Sequence, residues 1–195
     1  MDITKRQMEI VSASIEIIAQ QGYEKLTTKN IATRLGVTDA SLYRHFNSKH
    51  DLIKMILSYF EHVSYTVIQD IRDNSSSPCD RIRRFVHDRY RMFEDQPDLA
   101  MVMFSEEIFK NDPSFQDHLL SIMHIHRDEV VRYILDGQAD GSIVRCLDPL
   151  HIFRIIVGSM RLTVTQWNLS GHAFNLREEG HSLLETIIEL IEVNR

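Results

Sequence analysis

The stretch Thr27–Phe46, reading TTKNIATRLGVTDASLYRHF, constrains this chain more than any other feature. Ile31 and Leu35 share one face of a short amphipathic segment, and Thr27 or Thr28 stands where a side-chain oxygen can cap its first turn. Gly36 follows where the chain must turn sharply, and Val37 returns to the core just beyond it. From Thr38 or Asp39 a second short segment puts Leu42 and Phe46 inward and leaves Ser41, Arg44 and His45 pointing away. Two short helices joined by a glycine-containing turn form a helix-turn-helix, whose second helix presents its N-terminal turns to the major groove of DNA. By spacing alone, the same residues also describe an ordinary helical hairpin in an all-helical core.

The run Leu42-Tyr43-Arg44-His45-Phe46, followed by Asn47-Ser48-Lys49 at the start of the next helix, separates the two readings. Here the chain resembles the tetracycline-repressor (TetR) family of bacterial transcription regulators, whose DNA-binding unit characteristically ends in a tyrosine, a histidine and a phenylalanine followed by a lysine. The resemblance begins near Thr4, is tight up to about residue 55, and beyond that rests on length and helix order. It implies an all-α protein with a three-helix DNA-binding domain over residues 1–48 and a larger helical ligand-binding and dimerisation domain over residues 49–195. Carried over by position, Thr28, Tyr43, His45 and Lys49 match places that usually hold phosphate. Thr38, Ala40, Ser41 and Arg44 lie on the surface that usually meets bases or flanking backbone, and Arg44 is the candidate for reading guanine, with a phosphate contact as its alternative. Asp39 departs from the pattern, because many relatives place a lysine there. A carboxylate in the groove would repel phosphate yet accept a hydrogen bond from cytosine N4, and its plainer role is helix capping.

The charge balance is consistent with a small DNA-facing module on an acidic body. The chain carries a net charge of −6, but eight basic residues outnumber six acidic ones up to Lys54, whereas fourteen face twenty-two from Met55 onward. The positive excess of the first part is a weak electrostatic footprint by itself. Cys79 and Cys146 have no pairing signature around them and read as reduced thiols of a cytoplasmic protein. The beginning MDITKRQMEI has no long apolar stretch, and no later segment approaches the roughly 20 uncharged residues of a membrane span, so no membrane partner is expected.

The rest of the sequence reads as helix after helix, about nine in all. Met8, Val11, Ile15 and Ile18 stripe a first helix that ends at Gln21-Gly22. A long helix from Ser48 carries Leu52, Ile53, Ile56, Leu57, Phe60, Val63 and Val67 until Asn74-Ser75-Ser76-Ser77-Pro78 stops it. Ser77-Pro78, Asp112-Pro113 and Asp148-Pro149 each join a capping residue to a proline at the first helical position, so three helices start there. A short helix spans Pro97 to Phe109, and Phe115, Leu119, Ile122, His126 and Tyr133 stripe the next one. Asp136-Gly137 and Asp140-Gly141 predict a loop. The last two helices run about Pro149 to Leu169 and Leu176 to Val193, the second opened by Asn175 with Glu178 three residues on.

Those last two helices carry more apolar surface than a lone surface helix needs. Ile152, Ile156 and Met160 on one, with Leu184, Ile187 and Ile191 on the other, are candidates for an isologous four-helix dimer interface, which Gly158 and Ser159 would allow to approach closely. The same stripes also read as monomer core, and the resemblance favours the homodimer. A dimer also suits the DNA chemistry, since two recognition helices read a palindrome with half-sites about one helical turn apart. The resemblance further implies a pocket for a small-molecule effector. Met92, Phe93, Met101, Met103, Phe104, Phe109, Met123, Tyr133, Met160 and Trp167 supply adaptable apolar surface for one or for plain core, with Phe104, Tyr133 and Trp167 singled out as ligand-binding. His124 and His126 are two apart on a helix and point to different sides, so no metal site and no cofactor are predicted. There is no phosphate loop, nucleophile motif or matched carboxylate pair, so no enzyme is predicted. The expected function is a homodimeric repressor that binds double-stranded DNA at a palindromic operator and is released by a small apolar or amphipathic effector. The alternative is a chromosome-organising DNA-binding protein that works through protein partners.

Overall fold

A computed structural model of the chain describes residues 4–73 and 77–193. Ten α-helices run through them: α1 (Lys5–Gln21), α2 (Thr28–Leu35), α3 (Asp39–Leu42), α4 (Lys49–Asp73), α5 (Pro78–Asp95), α6 (Pro97–Met103), α7 (Glu106–Phe109), α8 (Pro113–Asp140), α9 (Pro149–Leu169) and α10 (Leu176–Ile191). A 3₁₀ turn, Tyr23–Lys25, precedes α2. The protein is all-α, and the only β pairing among the described residues is a single antiparallel bridge between Ile143 and Glu192.

Ser77-Pro78, Asp112-Pro113 and Asp148-Pro149 each open a helix as the sequence predicts, because the residue before proline supplies a side-chain acceptor for an amide of the first turn. Ser77 Oγ accepts the Asp80 amide at 3.2 Å, the Asp112 carboxylate accepts the Ser114 amide at 2.9 Å, and Asp148 accepts the Leu150 amide at 2.7 Å. Of the residues read as stopping α4, Asn74, Ser75 and Ser76 lie outside the described residues. Two readings change. The segment from Pro97 to Phe109 is two helices, since the Ser105 amide bonds the Val102 carbonyl three residues back at 3.2 Å and this tightened turn closes α6. Asp136-Gly137 is not a loop, because α8 continues to Asp140. Gly137 is needed for close approach: a Cβ there would lie 2.6 Å from Ile143 Cδ1.

The chain divides into two compact units. The first comprises residues up to Tyr65 together with Asp98–Leu120. Here α1 buries a wider face than the predicted stripe, through Ile10, Val11, Ser14, Ile17 and Ile18 with Ile15, while Met8 stays at the surface. Leu26, Ile31, Leu42 and Phe46 complete this core with Leu52, Ile53, Ile56 and Leu57 of α4. Arg34 of α2 pairs with Glu16 of α1. Two histidine–carboxylate contacts tie α4 to the start of α8 and the residue before it: His50 Nε2 lies 3.1 Å from Asp112 Oδ2, and His118 Nε2 lies 3.0 Å from Glu61 Oε2.

The second unit comprises Thr66–Pro97 and the residues from Ser121 onward. Its centre is Tyr90 on α5. The ring lies against Gly180 of α10, where an added Cβ would come within 2.5 Å of the ring carbon Cζ. The Tyr90 hydroxyl hydrogen-bonds with Thr163 of α9. One side chain therefore joins three helices, and the absence of a side chain at position 180 sets how close two of them come. On α8, His126 keeps Nε2 shielded from solvent. Burial first, and the neighbouring Arg89 second, push its imidazole down to about 3.

Two outcomes follow from this packing. Gly180→Ala must push the Tyr90 ring aside and should destabilise the fold by about 1–3 kcal/mol, the usual range for overpacking; an unchanged urea midpoint would show that the two helices do not meet there. The native state keeps His126 neutral down to about pH 3, whereas the unfolded chain takes up the proton near pH 6.5. Stability from this group is therefore present above the unfolded value and is lost as pH falls towards 3, by at most about 1.4 kcal/mol per unit. NMR titration of the His126 ring should show no protonation in folded protein at pH 5, and a midpoint near 6.5 would refute this.

Candidate nucleic-acid interface

The helix-turn-helix is assembled by local chemistry. Thr27 Oγ1 accepts the Asn30 amide at 3.2 Å and so starts α2. Gly36 ends it in the left-handed region, with φ 66° and ψ 36°, its amide directed to the carbonyls of Ala32 and Thr33. A residue with a Cβ is strained there, which is why glycine occupies the turn. Thr38 is extended, and α3 begins at Asp39. The Ser41 hydroxyl donates to the Thr38 carbonyl at 2.7 Å.

A helix as short as α3 has no stability of its own. It is held from below, where Leu42 is 0% and Phe46 3% exposed. Thr38, Asp39, Ala40, Tyr43 and Arg44 are left exposed, and Ser41 and His45 are half-buried. Thr28 is half-buried at the first position of α2, and Lys49 is half-buried at the first position of α4. The Lys49 ammonium sits 3.6 Å from the centroid of the Tyr23 ring. The start of α4 is closed by Ser48, whose hydroxyl accepts the Asp51 amide at 3.1 Å. Asp51 reaches back to the Asn47 amide at 3.0 Å. That backbone hydrogen bond is the main cause holding its carboxyl below the usual range.

Asp39 is the first residue of α3, not its cap, and Thr38 in the cap position forms no side-chain cap bond. The carboxylate is exposed in the first turn, where the helix dipole favours negative charge.

The residues singled out as ligand-binding fall in different units. Phe104 follows α6 in the first unit, half-buried, whereas Tyr133 and Trp167 belong to the second and are buried. Trp167 stacks on His172 with ring centroids 4.0 Å apart. Met101 and Met123 lie at the surface. The second unit contains a cavity of about 610 Å³ of different character, walled by Arg83, Arg84, His87 and Arg91 of α5, Asp70 of α4 and His181 of α10. Sequence reasoning missed these residues because the two walls lie more than ninety residues apart, and no linear spacing joins them. The six residues named for a dimer interface, Ile152, Ile156, Met160, Leu184, Ile187 and Ile191, are buried within the single chain. The apolar side chains left outside by α9 and α10 are Ile155, Leu162, Leu169 and Leu190.

A short helix carried on a buried hydrophobic anchor, with a polar outer face and a left-handed glycine in the turn before it, is the geometry of a helix-turn-helix. Residues 10–56 match the family model for bacterial regulatory proteins of the tetR family, and residues 49–190 match that for the C-terminal region of YsiA-like proteins. The chain belongs to the TetR family, whose members are regulators and not enzymes. It is 22% identical to the fatty acid metabolism regulator protein of Bacillus subtilis over 184 residues, covering 94% of each chain. Its fold matches that of the fatty acid degradation regulator FadR from Bacillus halodurans with a TM-score of 0.84 and 17% identity, over 96% of this chain and 97% of the other. It also matches the Bacillus subtilis FadR solved with stearoyl-CoA, with a TM-score of 0.79 and 21% identity, over 93% of this chain and 97% of the other. Among the described residues, no helix is long and apolar enough to cross a membrane.

Asp39→Lys should raise affinity for DNA of any sequence and steepen its salt dependence, as added phosphate contacts do. Fluorescence anisotropy with a random duplex across a salt series measures both, and unchanged binding would mean that position 39 faces away from the duplex.

Proposed function

We propose that this protein is a repressor that binds a palindromic operator as a homodimer and releases it when a small amphipathic molecule enters the second unit. The observation that carries the DNA half of this reading is the exposed polar face of α3 and of the turn Tyr43–His45 that follows it, on the buried Leu42–Phe46 anchor. The helix itself ends at Leu42 and not at Phe46. On it Arg44 reads a base, while Thr28, Tyr43, His45 and Lys49 hold phosphates and thereby fix the register. In this reading, the dimer forms through the outer stripes of the last two helices, with Ile155 and Leu162 of α9 and Leu190 of α10 as apolar contacts. Gly158 supports it, since nothing lies within 4 Å of where its Cβ would stand and a partner backbone can approach there. The inner residues from Ile152 to Ile191 shape those helices from beneath.

The effector half draws on the second unit. Its arginine-walled cavity suits the anionic end of an amphiphile, and a relative of the same fold was solved with stearoyl-CoA. A long-chain acyl thioester is therefore the class to test first, its chain entering the apolar interior that includes Tyr133 and Trp167. Such a ligand lowers operator occupancy only by binding the DNA-incompetent conformation better than the competent one.

Recovery of genomic DNA bound to purified protein, with Tyr43→Ala/Arg44→Ala as the control, should yield a few palindromic promoter sites that vanish in the variant. Long-chain acyl-CoA, but not free CoA, should then release the operator. Diffuse recovery would overturn the operator reading, and operator binding indifferent to every acyl-CoA length would overturn the effector class.

A further inference from the structure

Two residues of the cavity wall in the second unit, His87 and His181, stand beside a carboxylate, Glu185. His87 Nε2 on α5 lies 3.1 Å from His181 Nδ1 on α10. His181 Nδ1 in turn lies 3.9 Å from Glu185 Oε1, one helical turn further along α10. One ligand atom from each of the three lies within 4.8 Å of the others. In tetrahedral zinc sites, with metal–ligand distances of about 2.0–2.1 Å, neighbouring donors stand about 3.3–3.4 Å apart. The histidine pair is already near that separation, and the Glu185 carboxylate, on a flexible side chain, has to move by about 1–1.5 Å to reach it.

We propose that His87, His181 and Glu185 form a binding site for a divalent late first-row transition-metal ion of the zinc class. Two imidazoles and a carboxylate are the ligand set such ions prefer, and three protein ligands leave a further position for water or an incoming group. Arg83 Nε donates to both oxygens of Glu185, at 3.0 and 3.1 Å, and so orients the carboxylate as an outer-shell partner does. The arginines nearby each carry a carboxylate partner, Arg83 with Glu185, Arg84 with Asp70 and Arg91 with Asp88, which lowers the positive charge an incoming metal ion meets. His181 directly follows Gly180 and His87 lies one turn before Tyr90, so the ion would pin α5 to α10 beside their closest approach. The site lies within one unit of one chain and stands whether or not an acyl thioester is the effector.

The test is titration of chelator-treated, untagged protein with Zn²⁺ by calorimetry, repeated with Co²⁺ to read the ligand-field absorption of a tetrahedral ion. Wild type should bind one equivalent per chain and gain several degrees in melting temperature. His87→Ala and His181→Ala should each weaken binding by at least about tenfold. Both positions are exposed, so the variants should fold; His181→Asn is the substitute if alanine disturbs α10. No binding by wild type, or equal binding by the double variant, would overturn the proposal and assign any bound ion to other histidines. No DNA or effector enters the measurement, so its failure leaves the repressor reading intact.

Discussion

The exposed face of the helix-turn-helix depends on two side chains buried beneath it. Leu42 and Phe46 are buried to within a few per cent beneath α3, a helix too short to form alone. Every residue of the outer face takes its direction from them. The left-handed Gly36 sets the angle at which α3 leaves α2, and the Ser48–Asp51 closure of α4 fixes the chain on the far side. Arg34–Glu16 adds a surface ion pair, which by itself is worth little beside the apolar anchor. The platform thus rests on packing, while the exposed residues carried on it can be exchanged without disturbing it.

The local parts of this fold were legible because they are written in adjacent residues. Proline after serine or aspartate marks a helix start by removing one donor and supplying one acceptor, and α5, α8 and α9 begin there. Gly36 was legible for the same reason. Gly137 and Gly180 were not, because each is defined by a side chain that tertiary packing brings to it, Ile143 in one case and Tyr90 in the other. The break between α6 and α7 involves no proline or glycine, only one amide moving to the carbonyl three residues back.

The same limit governs the stripes of α9 and α10. Periodicity shows that both helices have two apolar faces but not which is turned inward, and the choice is made by α5 packing against them through Tyr90. The buried face holds Ile152, Ile156 and Met160, leaving Ile155, Gly158 and Leu162 outside on the same helix. A buried face and an exposed apolar face interleave there at spacings of three and four. The cavity was out of reach for a related reason: Arg83, His87 and His181 read along the chain as solvated charges of separate amphipathic helices. Only the α5–α10 contact turns them into one wall.

The charge distribution gives the dimer proposal a physical basis beyond symmetry. Up to Lys54 the basic residues exceed the acidic ones by only two, and Arg34 is engaged with Glu16 while Lys49 lies over the Tyr23 ring. A single head therefore neutralises few phosphates, and its affinity would be low at physiological salt. Joining two heads makes the second encounter intramolecular, so the affinities reinforce one another while the number of phosphate contacts doubles. A weakly charged head has a further consequence: binding to random DNA stays weak in each copy, and discrimination falls to Arg44 and its neighbours only when both half-sites match. Modest charge per head is thus compatible with a regulator that selects few sites, provided that two heads act together.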